Sequence, residues 1–187
     1  MNKYRFGTKE VVAVIVTIVL YVLLEALERY LITCGVLNSN VLDWIRLRVV
    51  VTIISAAIFG PIVGVISGLG GALLVDVMFY DYISYSEVIT YAISGYLIGR
   101  YYSKFNVLAG KFKGMAILDF NIIQVLNHIV CSILFVPLFR FITENENLND
   151  AIVLGAKNAV GAMIGTGIIG TFVMWFVSNK MRDKHKL

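Results

Sequence analysis

"FGPIVGVISGLGGALLVDVMFYD", residues 59–81, is a run of lipid-compatible side chains broken at one point and punctuated by small residues. The break is Gly60-Pro61. Proline cannot continue a helix and the pair reads as a tight reversal, so one apolar helix is expected to end at residue 59 and the next to begin at 61. Beyond it, Gly64, Gly68 and Gly71 recur at the small-xxx-small spacing that lets helix backbones approach closely in a membrane. The run closes on Asp76 and Tyr80, polar groups at the end of an apolar span.

The rest of the chain has the same character. Its 187 residues are 59% hydrophobic and 15% charged, with a mean hydropathy of +0.83, where a soluble domain carries about 25% charged residues. The fold class expected is an all-α integral membrane protein. At roughly 20 apolar residues per span there is room for about six helices in one domain, 1–187, and for no separate soluble unit. Six apolar segments answer that count, at about 11–33, 44–59, 61–80, 86–103, 114–140 and 151–178. The first is longer than the core of a signal peptide and no small-residue cleavage site follows it, so it reads as a retained helix.

The net charge of +4 does not point to nucleic acid. Basic residues cluster at the ends of spans, around Lys3 to Lys9, Arg100 to Lys113 and Lys180 to Lys186, where they set topology. With six spans both termini share a side, and 11 of the 16 basic residues fall there, which predicts cytoplasmic termini in a multi-pass plasma-membrane protein. Arg46 and Arg48, beside Trp44, are expected to snorkel to the opposite interface. That outer side receives the loop at 34–43, the connection at 79–86 and the acidic "TENENLND" at 143–150.

Inside the fifth segment, "DFNIIQVLNHIV" at 119–130 is out of place in lipid. On a helix advancing about 100° per residue, Asn121, Gln124 and His128 fall within about 60° of one another, Cys131 and Ser132 extend the same face, and Asp119 points away. Such a stripe faces the bundle interior or a water-filled cavity, either as packing glue between helices or as the lining of a pocket. Other segments supply complementary groups on the outer side. Glu87, Tyr91 and Ser94 lie at helical spacing on the fourth, Lys157 and Asn158 about two turns below the outer end of the sixth, and Asp76 and Tyr80 at the end of the third. Asn38, Asn40 and Trp44 lie in or beside the first outer loop. Amides, carboxylates and aromatic rings together suit a small polar ligand, and an intramembrane Lys157 needs a carboxylate, a cavity or an anion.

No GxxxxGK[ST], HExxH or GxSxG sequence occurs, and Cys34 and Cys131 have neither metal-ligand nor CxxC spacing. No catalytic group, metal or cofactor is therefore expected.

The run at 59–81, followed by "AISGYLIG" at 92–99, resembles the second-to-fourth-helix region of S components of energy-coupling-factor (ECF) transporters, closest to a poorly characterised branch. "TKEVVAVIV" in the first helix and "LNSN" in the outer loop fit that branch. The likeness covers roughly the first 100 residues, and the remainder by its six-span layout. Ala72 stands where a His is expected four residues before the Asp, and "EVITY" replaces an aromatic stretch before the Ser-Gly. Both departures lie near the expected ligand site and leave the cargo open. The coupling motif Ala-x-x-x-Ala is present only as Ala13 and Thr17.

The resemblance implies a six-helix bundle that binds a small water-soluble vitamin, vitamin precursor or nucleobase-like micronutrient. It implies delivery of that cargo through a transmembrane coupling protein and two ATPase subunits, with Ala13 and Thr17 at the coupling interface. It carries over the outer loop, Asp76, Glu87 and the outer parts of the fifth and sixth helices; Gln124 and His128 as the pocket floor rest on the stripe alone. Membrane lipid is the surrounding partner. The alternative is a structural membrane scaffold of the rod-shape-determining type, which works through protein contacts. A self-contained secondary transporter would show inverted repeats, and none is visible.

Overall fold

In hydrocarbon the backbone must satisfy itself, and here it does so in helices. The structure, a computed structural model, describes residues 7–36 and 47–184. Among them are seven helices: α1 Thr8–Thr33, α2 Leu47–Phe59, α3 Pro61–Phe79, α4 Tyr85–Gly99, the single turn α5 Tyr102–Phe105, α6 Met115–Glu144 and α7 Leu148–Lys184. Four of them, α1, α3, α6 and α7, are long and apolar enough to cross a membrane. α2, a shorter apolar helix, has 13 residues and α4 has 15, about 20 Å each against a hydrocarbon core of roughly 30 Å.

α1 turns Ala13, Val14, Thr17, Tyr21, Glu25 and Glu28 inward at intervals of three and four, while Val12, Ile15, Val19, Leu23 and Leu27 stay exposed. The Gly60-Pro61 reversal forms as expected: Gly60 adopts a φ of 103°, which only glycine takes without strain, and Pro61 opens α3. The glycines then set how close α3 and α4 lie. A Cβ on Gly64 would collide with the Gly95 carbonyl and one on Gly95 with that of Gly64, while one on Gly68 would come within 2.6 Å of the Tyr91 carbonyl. Gly71 makes room for the Tyr21 ring of α1.

α6 and α7 run beyond their apolar stretches, because a helix ends where its backbone pairing is capped. Asn145 closes α6 in the left-handed region at φ 52°, and Asn147 caps α7 by accepting from the Asn149 amide at 2.9 Å. Both contain π-helical turns, Ile129–Phe135 and Arg140–Glu144 in α6 and Thr166–Gly170 in α7. At the other end, the 106–114 connection folds over α7. Its Phe112 amide donates to Ser178 Oγ at 3.0 Å, and the Phe105, Phe112 and Phe120 rings meet edge to face. Asp119 is tied there to Lys104 at 3.2 Å, so its place off the polar stripe is an ion pair across the α5–α6 connection.

Candidate binding seam

α4, α6 and α7 bring their polar faces together around an enclosed void of about 10 Å³, the space of one water molecule. Thr90, Tyr91 and Ser94 reach it from α4, His128, Cys131 and Ser132 from α6, and Asn158 from α7; Val49, Val136 and Ala162 complete the wall. All seven polar-faced residues are buried. Helical spacing accounts for the grouping: Thr90, Tyr91 and Ser94 share one face, as do His128, Cys131 and Ser132. Gly155 allows α7 to lie directly on the Ser132 carbonyl, where a Cβ would collide.

The seam is held by neutral hydrogen bonds. Asn127 Nδ2 donates to Ser94 Oγ at 2.7 Å, and His128 Nε2 shares a bond with Thr166 Oγ1 at 3.1 Å. Two atoms are left over: the Thr90 hydroxyl and Gln124 Oε1 are buried without a hydrogen-bond partner among the described residues.

The α6 stripe divides into two roles. Asn121 donates to Thr171 Oγ1 at 3.0 Å and Gln124 Nε2 approaches the Met163 carbonyl at 3.5 Å, so these two and His128 all bond to α7. Asn121 and Gln124 are thus packing contacts below the void, and His128 alone of the three lines it. Asn127, about 100° round from His128, serves the other flank and bonds to α4. α6 is wedged between two helices, so two polar faces are buried where the stripe predicted one.

At the end of the bundle carrying the Tyr80–Ser84 loop lies a charged cluster. Arg48 bonds Glu25 at 2.8 Å and stands 3.9 Å from Glu28 Oε2; Arg29 bonds the other Glu25 oxygen at 2.8 Å and lies over the Tyr80 ring at 4.2 Å. Tyr80 donates to Glu25 at 3.0 Å. This corrects the expectation for Arg48, whose side chain is partly buried and paired inward rather than snorkelled. Two carboxylates face it from α1, and burying them requires a cation. Nearby, Glu144 Oε1 accepts from Ser84 Oγ, Ser86 N and Ser86 Oγ, strapping the start of α4 to the end of α6, while Asp76 accepts from the Ser84 amide at 2.9 Å.

The predicted site residues therefore part company. Tyr91, His128 and Asn158 meet at the void. Gln124 lies one turn below His128, and Glu87 one turn above Tyr91, whose hydroxyl donates to it at 3.2 Å. Asp76 and Tyr80 instead line an open depression of about 520 Å³ with Asp81, Tyr82 and Tyr85. Lys157 is corrected: it is exposed, on the outward row of Val153, Val160 and Ile164, because adjacent helical residues diverge by about 100° and Asn158 takes the inward place. Its long stem lets the ammonium snorkel. Asn38, Asn40, Trp44 and Arg46 lie outside the described residues.

Ala13 and Thr17, expected to face a partner, are buried. They form the floor of an apolar groove of about 640 Å³ between α1 and α2, reached by Ile169 and Val173 of α7. Thr17 hides its hydroxyl on the Ala13 carbonyl at 2.6 Å, so the small residues supply depth and Val12, Val16 and Leu20 supply surface. No cluster of three or more His, Cys, Asp or Glu able to hold a metal exists among the described residues.

The reading of the chain missed Thr90 and Asn127 as seam residues, and the Glu25–Arg48 pair. Thr90 lies four residues before Ser94 and so falls on its α4 face; Glu25 and Glu28, spaced by three on the inward face of α1, were the signal for a paired cation.

The family described as ECF-type riboflavin transporter, S component, matches residues 5–179. The chain is also similar to UPF0397 proteins of Staphylococcus aureus strains bovine RF122 / ET3-1, MSSA476 and Newman. Each is 32% identical over 174 residues, covering 93% of this chain and 91% of the relative. No solved structure matches.

Proposed function

Because the chain belongs to the family of ECF-type riboflavin transporter S components, we propose that its neutral seam captures a small water-soluble vitamin, vitamin precursor or nucleobase-like compound. Members of this family are substrate-specific membrane subunits of transporters rather than enzymes, which accords with a chain that carries no ATP-binding motif. In this reading the chain is a single domain whose six apolar helices span the membrane with both termini in the cytoplasm. The charged end then faces outside, and the seam is entered from there, past Glu87 and Tyr91. Asp76 and Tyr80 form the outer rim, and Asn38, Asn40 and Trp44 remain candidate contacts for the cargo by their place in the sequence alone.

Delivery would pass through a transmembrane coupling protein driven by two ATPase subunits. The α1–α2 groove above Ala13 and Thr17 is its docking place, since an open apolar furrow on a lipid-facing wall suits a partner helix.

The observation that carries this reading is the convergence of neutral hydrogen-bonding side chains from α4, α6 and α7 on one enclosed point beneath a charged rim. The test is gentle purification, denaturation and mass spectrometry of whatever small molecule is released. A stoichiometric heterocycle is the expected result. An empty protein whose thermal stability also shifts with no vitamin or base would overturn the proposal and favour the scaffold alternative.

A further inference from the structure

We infer that the seam selects the uncharged form of its cargo and rejects the corresponding phosphate ester, with Thr90 as a residue that bonds the cargo. The inference rests on the seam being the capture site. Every polar group at the void is neutral or without a counter-charge: Thr90, Tyr91, Ser94, Cys131, Ser132, Asn158 and the His128 imidazole, whose partner is the Thr166 hydroxyl. Among the described residues no carboxylate pairs with His128, and no lysine or arginine lines the void. A phosphate brought here would lose its water with no cation to replace it, which burial of a charge does not tolerate.

Among the described residues the rim supplies no uncommitted cation either. Arg48 is taken by Glu25 and Glu28, Arg29 by Glu25 and the Tyr80 ring, and Arg140 by Glu146 at 2.6 Å and Glu144 at 3.6 Å. Lys157 points outward. Among the described residues at this end, the carboxylates Glu25, Glu28, Asp76, Asp81, Glu87, Glu144 and Glu146 outnumber those three arginines. A field of that sign lowers the local concentration of anions and leaves neutral solutes unaffected.

The second, independent observation is Thr90. Its side chain lines the void, the residue is 2% exposed, and its hydroxyl has no partner among the described residues. Buried hydroxyls in native proteins are nearly always paired. The missing partner is the cargo's hydrogen-bonding edge, met when the seam widens around it.

Matched pairs test this on the full-length protein in nanodiscs: riboflavin with riboflavin 5′-phosphate, pyridoxine with pyridoxine 5′-phosphate, and adenosine with adenosine 5′-monophosphate, each followed by calorimetric titration. The expected result is that a neutral parent binds and its ester binds about 100-fold more weakly or not at all. An ester binding within about threefold of its parent overturns the charge selection and leaves substrate capture standing. Failure of every member of all pairs to bind, together with no thermal shift with any other vitamin or base, overturns both. Thr90→Val should weaken binding of the neutral parent about tenfold without lowering the melting temperature of the ligand-free protein, and Thr90→Ser should restore it. A valine variant with unchanged affinity removes Thr90 from the site.

Discussion

Arg48 shows what one side chain decides. It joins α2 to α1 through Glu25 at 2.8 Å, and Glu25 in turn holds Arg29 and Tyr80. Removing Arg48 takes one of two cations from buried Glu25, and the cost of a fully stranded charge, about 3–5 kcal/mol, is the upper bound here. Arg48→Met is therefore expected to lower the thermal midpoint in detergent sharply, and a Glu25→Gln, Arg48→Met double variant to recover part of the loss. Equal midpoints for both variants would show that Glu25 is not stranded. His128 works differently, since its partner is a neutral hydroxyl. His128→Ala leaves the Thr166 hydroxyl unpaired, a loss of about 1–3 kcal/mol, and in the capture reading also reduces cargo affinity at least tenfold. His128→Gln, which can still reach Thr166, should keep the stability and lose the affinity, and an isothermal titration beside a melting curve separates the two. Residue identity was legible at these positions, but pairing was not. Nothing in the order of the chain says that Arg48 turns inward, because that depends on which face of α1 carries Glu25 and Glu28.

At the scale of elements the glycines make a sharper contrast. Gly64 and Gly95 sit carbonyl to Cα across α3 and α4, whereas a Cβ on Gly167 would meet only the ends of Asn121 and Gln124 at 3.4 Å. Gly64→Ala must force α3 and α4 apart, which costs about 1–3 kcal/mol. It would also shift Thr90, Tyr91 and Ser94 out of register with α6, while Gly167→Ala should be nearly neutral. Comparing the two by melting temperature and cargo binding tests whether the α3–α4 contact positions the seam. This much could be read early. The Gly60-Pro61 break and the spacing of Gly64, Gly68 and Gly71 announced a close helix pair, because a backbone approach leaves its mark in side-chain size. The π-helical turns at Ile129–Phe135 and Thr166–Gly170 left no such mark. They depend on how α6 and α7 accommodate each other, which the order of residues does not show.

Across the whole molecule, the two apolar surfaces of α1 divide between lipid and partner. Val11, Ile15 and Val19 look outward from the bundle, whereas Val12, Val16 and Leu20 border the furrow shared with α2 and α7. Hydropathy could not separate these, since lipid tails and a partner helix are equally apolar, and so Ala13 and Thr17 were legible as small residues but not as a floor. If the furrow receives the coupling protein, filling it blocks assembly and leaves capture intact. Thr17→Trp places a large ring in the floor, within a space of about 640 Å³, and lies on a face of α1 remote from His128 and Asn158. The expected outcome is loss of co-purification with the coupling protein and its ATPases, and loss of import in cells, with cargo affinity of the isolated subunit within about twofold of the parent. Ile15→Trp, on the outward face, serves as the control and should assemble normally. Were Ile15→Trp to abolish assembly while Thr17→Trp did not, the partner would sit on the outward face of α1, and the furrow would be left to lipid.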